Sequence, residues 1–299
     1  MSSKAKPFIP LEEGKRRELM PSLKEIRLAS IRRPVSQAIG TLLIVGFLIF
    51  IVGPLVVLLT WAFAKEWFYP ALIPQAWTWS WWRIVLTTSH LGHSILLSFI
   101  FAPVVTTLSA LICLPAAYAF ARYSFPGRRW FMVSLFAANA FPKMGLYMSM
   151  AGLLFAFNLM GTFWGVVIVQ LISTLVIMTW IPSAAFRSVP RELEEAARDV
   201  GARPWQVFWR VTLPIAWPGI LVGLILGFLA SLDEAQGTFL VGIPNYITMP
   251  VQMYTLVGHY PQQAAAVFAI ILTLPSVILL LLVRRYIVGG TLAAGFRIR

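Results

Sequence analysis

Eleven carboxylates, three histidines and one cysteine are the groups that this 299-residue sequence offers for acid-base, nucleophilic or metal chemistry. They do not converge on a reaction centre. His90, His93 and His259 lack metal-ligand spacing and are expected at the outer surface. Cys113 lies alone in an apolar run, which excludes an intramolecular disulfide or a cysteine-based metal cluster and makes it a packing residue. No stretch reads Gly-x-x-x-x-Gly-Lys-Ser/Thr, the phosphate cradle of nucleotide hydrolases, so the chain is not expected to bind or hydrolyse ATP. Three charges stand within or at the end of apolar stretches: Lys143 after Pro142, and the neighbours Asp233 and Glu234. A cation in hydrocarbon costs about 2.5–3.5 kcal/mol on insertion scales, so Lys143 either faces a polar pathway or snorkels. Asp233 and Glu234, as a pair, could meet a polar or cationic solute, another protein, or water.

The most informative segment is polar and aromatic. It runs Ser188-Val-Pro-Arg-Glu-Leu-Glu-Glu-Ala-Ala-Arg-Asp-Val-Gly201 and on to Leu213-Pro214. Ser188 can cap, Pro190 suits a first turn and Glu192 stands at capping-box distance, which predicts a short helix from about Pro190 to Val200, stopped by Gly201. Pro204 opens a second amphipathic stretch with Trp205, Phe208 and Trp209 at helical spacing, ended by Leu213-Pro214. Two short helices meeting at a glycine form a knob. A mere connector would be short and polar, whereas aromatic side chains on an element projecting into water are explained by a partner groove or by the membrane surface.

The elements that carry these residues are read from composition. With 59% apolar and 12% charged residues and a mean hydropathy of +0.80, the chain has too little polar side chain to coat a water-soluble globule. A helix needs roughly 20 apolar residues to cross the hydrocarbon. About six candidates meet that length: Ser36 to Phe63, Ser94 to Ala121, Arg129 to Phe157, Gly161 to Pro182, Ala216 to Leu232 and Ala264 to Val283. Kinks are expected at Pro103, Pro115, Pro142 and Pro275. The net charge of +13 is spread over short basic clusters rather than one patch, which argues against nucleic acid as a partner. The clusters fall before the first span, between the second and third, between the fourth and fifth, and after the sixth; both termini are therefore cytoplasmic. Residues 1–35 read as a retained basic tail, 36–288 as the membrane domain and 289–299 as a second cytoplasmic tail. The outer loop holding Trp67, Phe68, Tyr69, Trp77, Trp79, Trp81 and Trp82 reads as an interfacial aromatic belt with a short surface helix, or as rings that face a partner or a sugar.

Glu195-Ala196-Ala197, then Gly201, then Val211-Thr212-Leu213-Pro214 resembles the EAA loop of binding-protein-dependent ABC importer permeases, with Val211 in place of the family's isoleucine as the one departure. The likeness extends along most of the chain. Leu114-Pro-Ala-Ala-Tyr-Ala-Phe-Ala-Arg122 with Phe125-Pro-Gly-Arg-Arg129, Thr248-Met-Pro-Val251 and the tail from Arg285 to Gly295 are similar to the maltose-permease-like branch. Ser231-Leu-Asp-Glu234 departs from that branch at its first two positions, and Phe296-Arg-Ile-Arg299 replaces its usual ending.

The resemblance implies an all-α membrane protein of the type I ABC importer permease fold, with about six transmembrane helices, in the bacterial inner membrane. It implies two ATP-binding cassette subunits docked on EAA loops, a second permease subunit that is expected to be a different homologous chain, and an extracytoplasmic solute-binding protein. By the same resemblance the residues that couple to the ATPase are Glu195, Ala196, Ala197, Gly201, Trp205, Phe208, Leu213 and Pro214. Glu195 is then the charged contact and Gly201 the hinge, while Lys143, Asp233 and Glu234 are candidates for contact with the pathway or the binding protein. ATP and Mg belong to the partner ATPase, and the chain binds no cofactor or metal. The expected cargo is a carbohydrate or a related small polar solute; Asp233-Glu234 and the segment from Thr248 to Val257 are also similar to polyamine permeases. A secondary transporter would show related halves, and none is seen. A channel leaves the knob unexplained, and a membrane enzyme would need convergent acids or bases.

Overall fold

The computed structural model describes residues 23–288, apart from 69 and 260. The chain divides into two units, Met1–Leu58 and Leu59–Arg299. Of the first, the described part belongs to helix α1 (Leu23–Phe63), whose side chains from Ile39 to Val57 are almost all exposed. An apolar helix exposed all round is one that lipid or another membrane helix must cover.

Within the second unit the aromatic outer loop condenses into a small domain. Strands β1 (Ala64–Glu66) and β2 (Ala76–Trp77) pair antiparallel, followed by helix α2 (Ser80–Thr87). The indole N–H of Trp81 donates to the Ala64 carbonyl at 3.1 Å and that of Trp67 to Ala71 at 2.8 Å, while Phe63 meets Trp79 edge-on at 4.7 Å. Trp77, Trp79 and Phe68 remain exposed, as residues of an interfacial belt would be.

The core is built by three long helices, α3 (Ser89–Arg122), α6 (Phe163–Arg187) and α9 (Leu213–Leu232), with α6 packed against both of the others. Gly219, Gly223 and Gly227 recur every fourth residue of α9 and let its backbone approach α6 closely. A Cβ at Gly219 would stand 2.5 Å from the Ala185 Cβ, and one at Gly227 2.7 Å from the Met178 sulfur. Hydrogen bonds cross the same seams: Ser109 pairs with Thr174 between α3 and α6, and the Ser231 hydroxyl donates to Gln170 Oε1 at 2.8 Å.

Five segments among the described residues are long and apolar enough to cross a membrane: Ile39–Phe63, Ser89–Arg122, Phe163–Arg187, Pro204–Leu232 and Gln262–Leu282. The third candidate, expected as one helix from Arg129 to Phe157, is broken into α4 (Arg128–Ala140) and α5 (Lys143–Ala156), of 13 and 14 residues. Pro142 is the reason. It disfavours helical backbone at Phe141, which is extended (φ −77, ψ 147), and the ladder stops there. Pro103, Pro115 and Pro275 lie inside unbroken helices. After α9 come two helices the apolar pattern did not reveal, α10 (Gln236–Gly242) and α11 (Met249–His259), before α12 (Gln262–Val288). Residues 1–22 and 289–299, which hold most of the predicted basic tail and the C-terminal tail, lie outside the described residues.

Candidate functional site

The knob leaves the membrane at the end of α6. Its first helix, α7 (Arg191–Asp199), starts after Pro190. Glu192 and Glu194 lie in the first turn, where the helix dipole favours anions. The expected Ser188 capping box is absent: the Ser188 hydroxyl turns back to the Ala185 carbonyl at 2.8 Å, and Pro190 takes the cap position. Gly201 stops α7 as expected. Its φ of +88 is left-handed, and its N–H bonds the Arg198 carbonyl at 2.8 Å while the Ala202 N–H bonds the Ala197 carbonyl at 3.0 Å. This pair of bonds is a Schellman closure, which requires a residue at ease with positive φ. Ala197 thus contributes a half-buried side chain and a capped carbonyl; Ala196 is exposed.

The second half of the knob differs from expectation. Leu213-Pro214 does not end it. Helix α8 (Pro204–Val207) passes into a π-turn, Phe208–Thr212, and straight into α9, so Pro204 to Leu232 is one continuous rod. In the π-turn the Leu213 N–H donates to the Phe208 carbonyl five residues back. The shifted ladder accommodates Pro214, which has no N–H to donate, without breaking the rod.

What anchors the knob is buried electrostatics. Arg122, the last residue of α3, reaches Glu194 with Nη2 to Oε1 at 2.7 Å, and the side chains are only 8% and 7% exposed. The same Nη2 donates to the Val189 carbonyl at 3.1 Å, and the Thr212 hydroxyl donates to Glu194 Oε1 at 2.6 Å. One carboxylate therefore ties the end of α3, helix α7 and the π-turn together. Removing one member would strand a buried charge, which is why such a pair is stiff. Around it Tyr118, Phe186 and Phe208 pack edge-on, with centroids 5.3 Å (Tyr118 to Phe186) and 5.1 Å (Tyr118 to Phe208) apart. Phe208 is thus partly buried in the base of the knob rather than projecting into water.

The outer face of the knob is free. Glu195 is exposed, as are Leu193 (47%), Trp205 (69%), Trp209 (49%) and Val200 (86%). A cavity of about 190 Å³ opens at Glu195, lined also by Tyr118, Arg122, Tyr123, Arg191, Glu194 and Arg198. Sequence reasoning selected Glu195 and passed over its neighbour Glu194. Both look like polar-face residues of a short helix, and only the approach of Arg122, 72 positions away, separates their roles.

The pathway candidates are dispersed. Lys143 is exposed at the first position of α5. Asp233 and Glu234 do not form a pair. Asp233 is exposed at the end of α9, whereas Glu234 is 6% exposed. Glu234 accepts from the Tyr147 hydroxyl at 2.7 Å and from the Gly237 N–H at 2.8 Å, joining α5 to the start of α10. Next to it Gln170 Nε2 donates to Thr238 Oγ1 at 2.9 Å. Tyr147 and Gln170 had no sequence signal, because each sits in an apolar run and is polar only at its tip. Cys113 is buried in packing, and His90 and His93 are exposed. No group of three metal-ligating side chains occurs among the described residues.

Known proteins resemble this chain in sequence and in fold. Residues 109–291 match the model of the family described as binding-protein-dependent transport system inner membrane component. The trehalose transport system permease protein SugB of Mycobacterium tuberculosis (strain CDC 1551 / Oshkosh) is 30% identical over 224 residues, covering 73% of this chain and 82% of that protein. The maltose/maltodextrin transport system permease protein MalG of Escherichia coli (strain K12) is 29% identical over 255 residues, 76% of this chain and 84% of that one. A solved bacterial ABC transporter involved in import of the acidic polysaccharide alginate shares the fold, with a TM-score of 0.64 at 18% identity over 85% of this chain and 96% of that one. A match that takes in the knob and every helix from the middle of α3 to α12 places this chain in the binding-protein-dependent transport system inner membrane component family, as a multi-pass permease of the bacterial inner membrane.

Proposed function

We propose that this chain forms half of the translocation pathway of an ATP-driven carbohydrate importer, and that the knob between Ser188 and Pro214 couples it to a separate ATPase. The observation that carries the coupling is the contrast within one short helix: Glu194 is locked into the permease by Arg122 and Thr212, while Glu195 next to it is exposed, as is Trp205 on the second half of the knob. A rigid base with an exposed charged and aromatic face is what a lever needs at its contact point. ATP and Mg are handled by two ATP-binding cassette subunits, and the chain has no nucleotide chemistry of its own. A second, homologous permease completes the pathway and an extracytoplasmic binding protein delivers the solute. The sugar-transport names of the relatives support a carbohydrate cargo.

Closure of the ATPase pair would push on the knob, and because α8, the π-turn and α9 are one rod, that push travels into the membrane core without a joint. The test is uptake into vesicles holding the chain, its partner permease and the ATPase subunits, with the binding protein added outside. Trehalose and maltodextrins should accumulate only with ATP. Uptake without the ATPase subunits would overturn the reading, and uptake of spermidine in place of sugars would overturn the cargo.

A further inference from the structure

We propose that a pocket at the arginine-rich ends of α4 and α6 binds the headgroup of an anionic phospholipid of the inner leaflet. The pocket has a volume of about 490 Å³ and is walled by Arg128 and Arg129 at the start of α4 and Arg187 at the end of α6, with Phe125, Trp130 and Met132. No carboxylate lines it. Arg187 Nη2 donates to the Ser183 hydroxyl at 3.2 Å and Arg128 Nη1 to the Tyr123 carbonyl at 3.4 Å, both neutral partners. Three cations from two helices thus converge without a counter-charge among the described residues of the pocket wall. A phosphodiester would supply that charge.

Hydrocarbon chemistry continues directly from the cations. Along α4 the next residues are exposed and apolar: Trp130 (77%), Phe131 (56%) and Val133 (50%). A free phosphate would use only the arginines. A phospholipid uses both surfaces, its headgroup in the pocket and its chains along the face that Trp130 and Val133 share at helical spacing. Such a ligand would clamp the inner end of α4 to Arg187, the residue from which the knob departs.

The full chain, purified in detergent, is exposed to equimolar dioleoyl phosphatidylglycerol and phosphatidylcholine, and bound lipid is counted by native mass spectrometry. Phosphatidylglycerol should be retained in preference. Arg128→Gln, Arg129→Gln and Arg187→Gln should each lower that preference by about fivefold, the effect of one interfacial cation, and the corresponding lysine variants should keep most of it. Arg284→Gln, an exposed cation outside the pocket, should leave it unchanged. An equal loss in Arg284→Gln would mean diffuse surface charge and overturn the site. So would displacement of the lipid by inorganic phosphate mole for mole, which would mean a free-anion site. Retained preference in all three glutamine variants, with weakened capture of the ATPase subunits, would reassign the pocket to a protein partner.

Discussion

Adjacent glutamates on α7 meet opposite environments, and their replacement should separate stability from coupling. Glu194→Ala leaves the Arg122 guanidinium buried without its carboxylate, a loss of about 3–5 kcal/mol for a broken buried pair. It should lower the thermal unfolding midpoint of the purified chain. Glu195→Ala breaks no hydrogen bond or ion pair given among the described residues and should leave that midpoint unchanged while abolishing solute-stimulated ATPase activity in the assembled transporter. Thr212→Val removes a donor to the same buried oxygen and should cost about 1.5–3 kcal/mol. At Gly201 no atom lies within 4 Å of the place a Cβ would take, so the constraint is conformational alone. Gly201→Asn should therefore keep most transport, and Gly201→Val, strained at φ +88, should lose it. The sequence made Gly201 and the exposed aromatics legible because turn chemistry and amphipathic spacing are local. It could not distinguish Glu194 from Glu195, since burial of a charge depends on what arrives from elsewhere in the chain.

Elements were legible in proportion to their hydrophobic length. α3, α6, α9 and α12 announce themselves as long apolar runs; most of their ends shift by a few residues, as at Ser89, and the largest extension carries α9 back to Pro204. α10 and α11 escaped because they are 7 and 11 residues long, too short for the apolar length that marks a span. Leu213-Pro214 misled for a different reason: proline was read as a stop, and a π-turn, a change of hydrogen-bond register rather than of composition, carries the helix through it. The glycine spacing on α9 gives a test at this scale. Gly219→Val has to displace Ala185, which has no flexible end to move. An overpacking loss of about 1–3 kcal/mol is expected, read as a lower unfolding midpoint, and Ala185→Gly should recover part of it in the double variant.

At the scale of the whole molecule, the two buried glutamates among the described residues mark separate stations: Glu194 with Arg122 and Thr212 at the knob, and Glu234 with Tyr147, near Gln170, where α5, α6 and α10 meet. Tyr147→Phe should leave the knob and ATPase docking intact while loosening α5 from α10. The expected readout is faster hydrogen exchange confined to Lys143–Ala156 and Gln236–Gly242. Between the stations runs the interruption at Phe141 and Pro142. Two helices joined by an extended residue pass tension along the chain but not torsion, because the hydrogen-bond ladder that resists twisting is missing there. The two halves are therefore not one rigid rod, and a twist applied to the half that begins at Arg128 is not passed on to the half tied to Glu234. In an importer driven through the knob, as proposed above, this would confine rotation to the driven side.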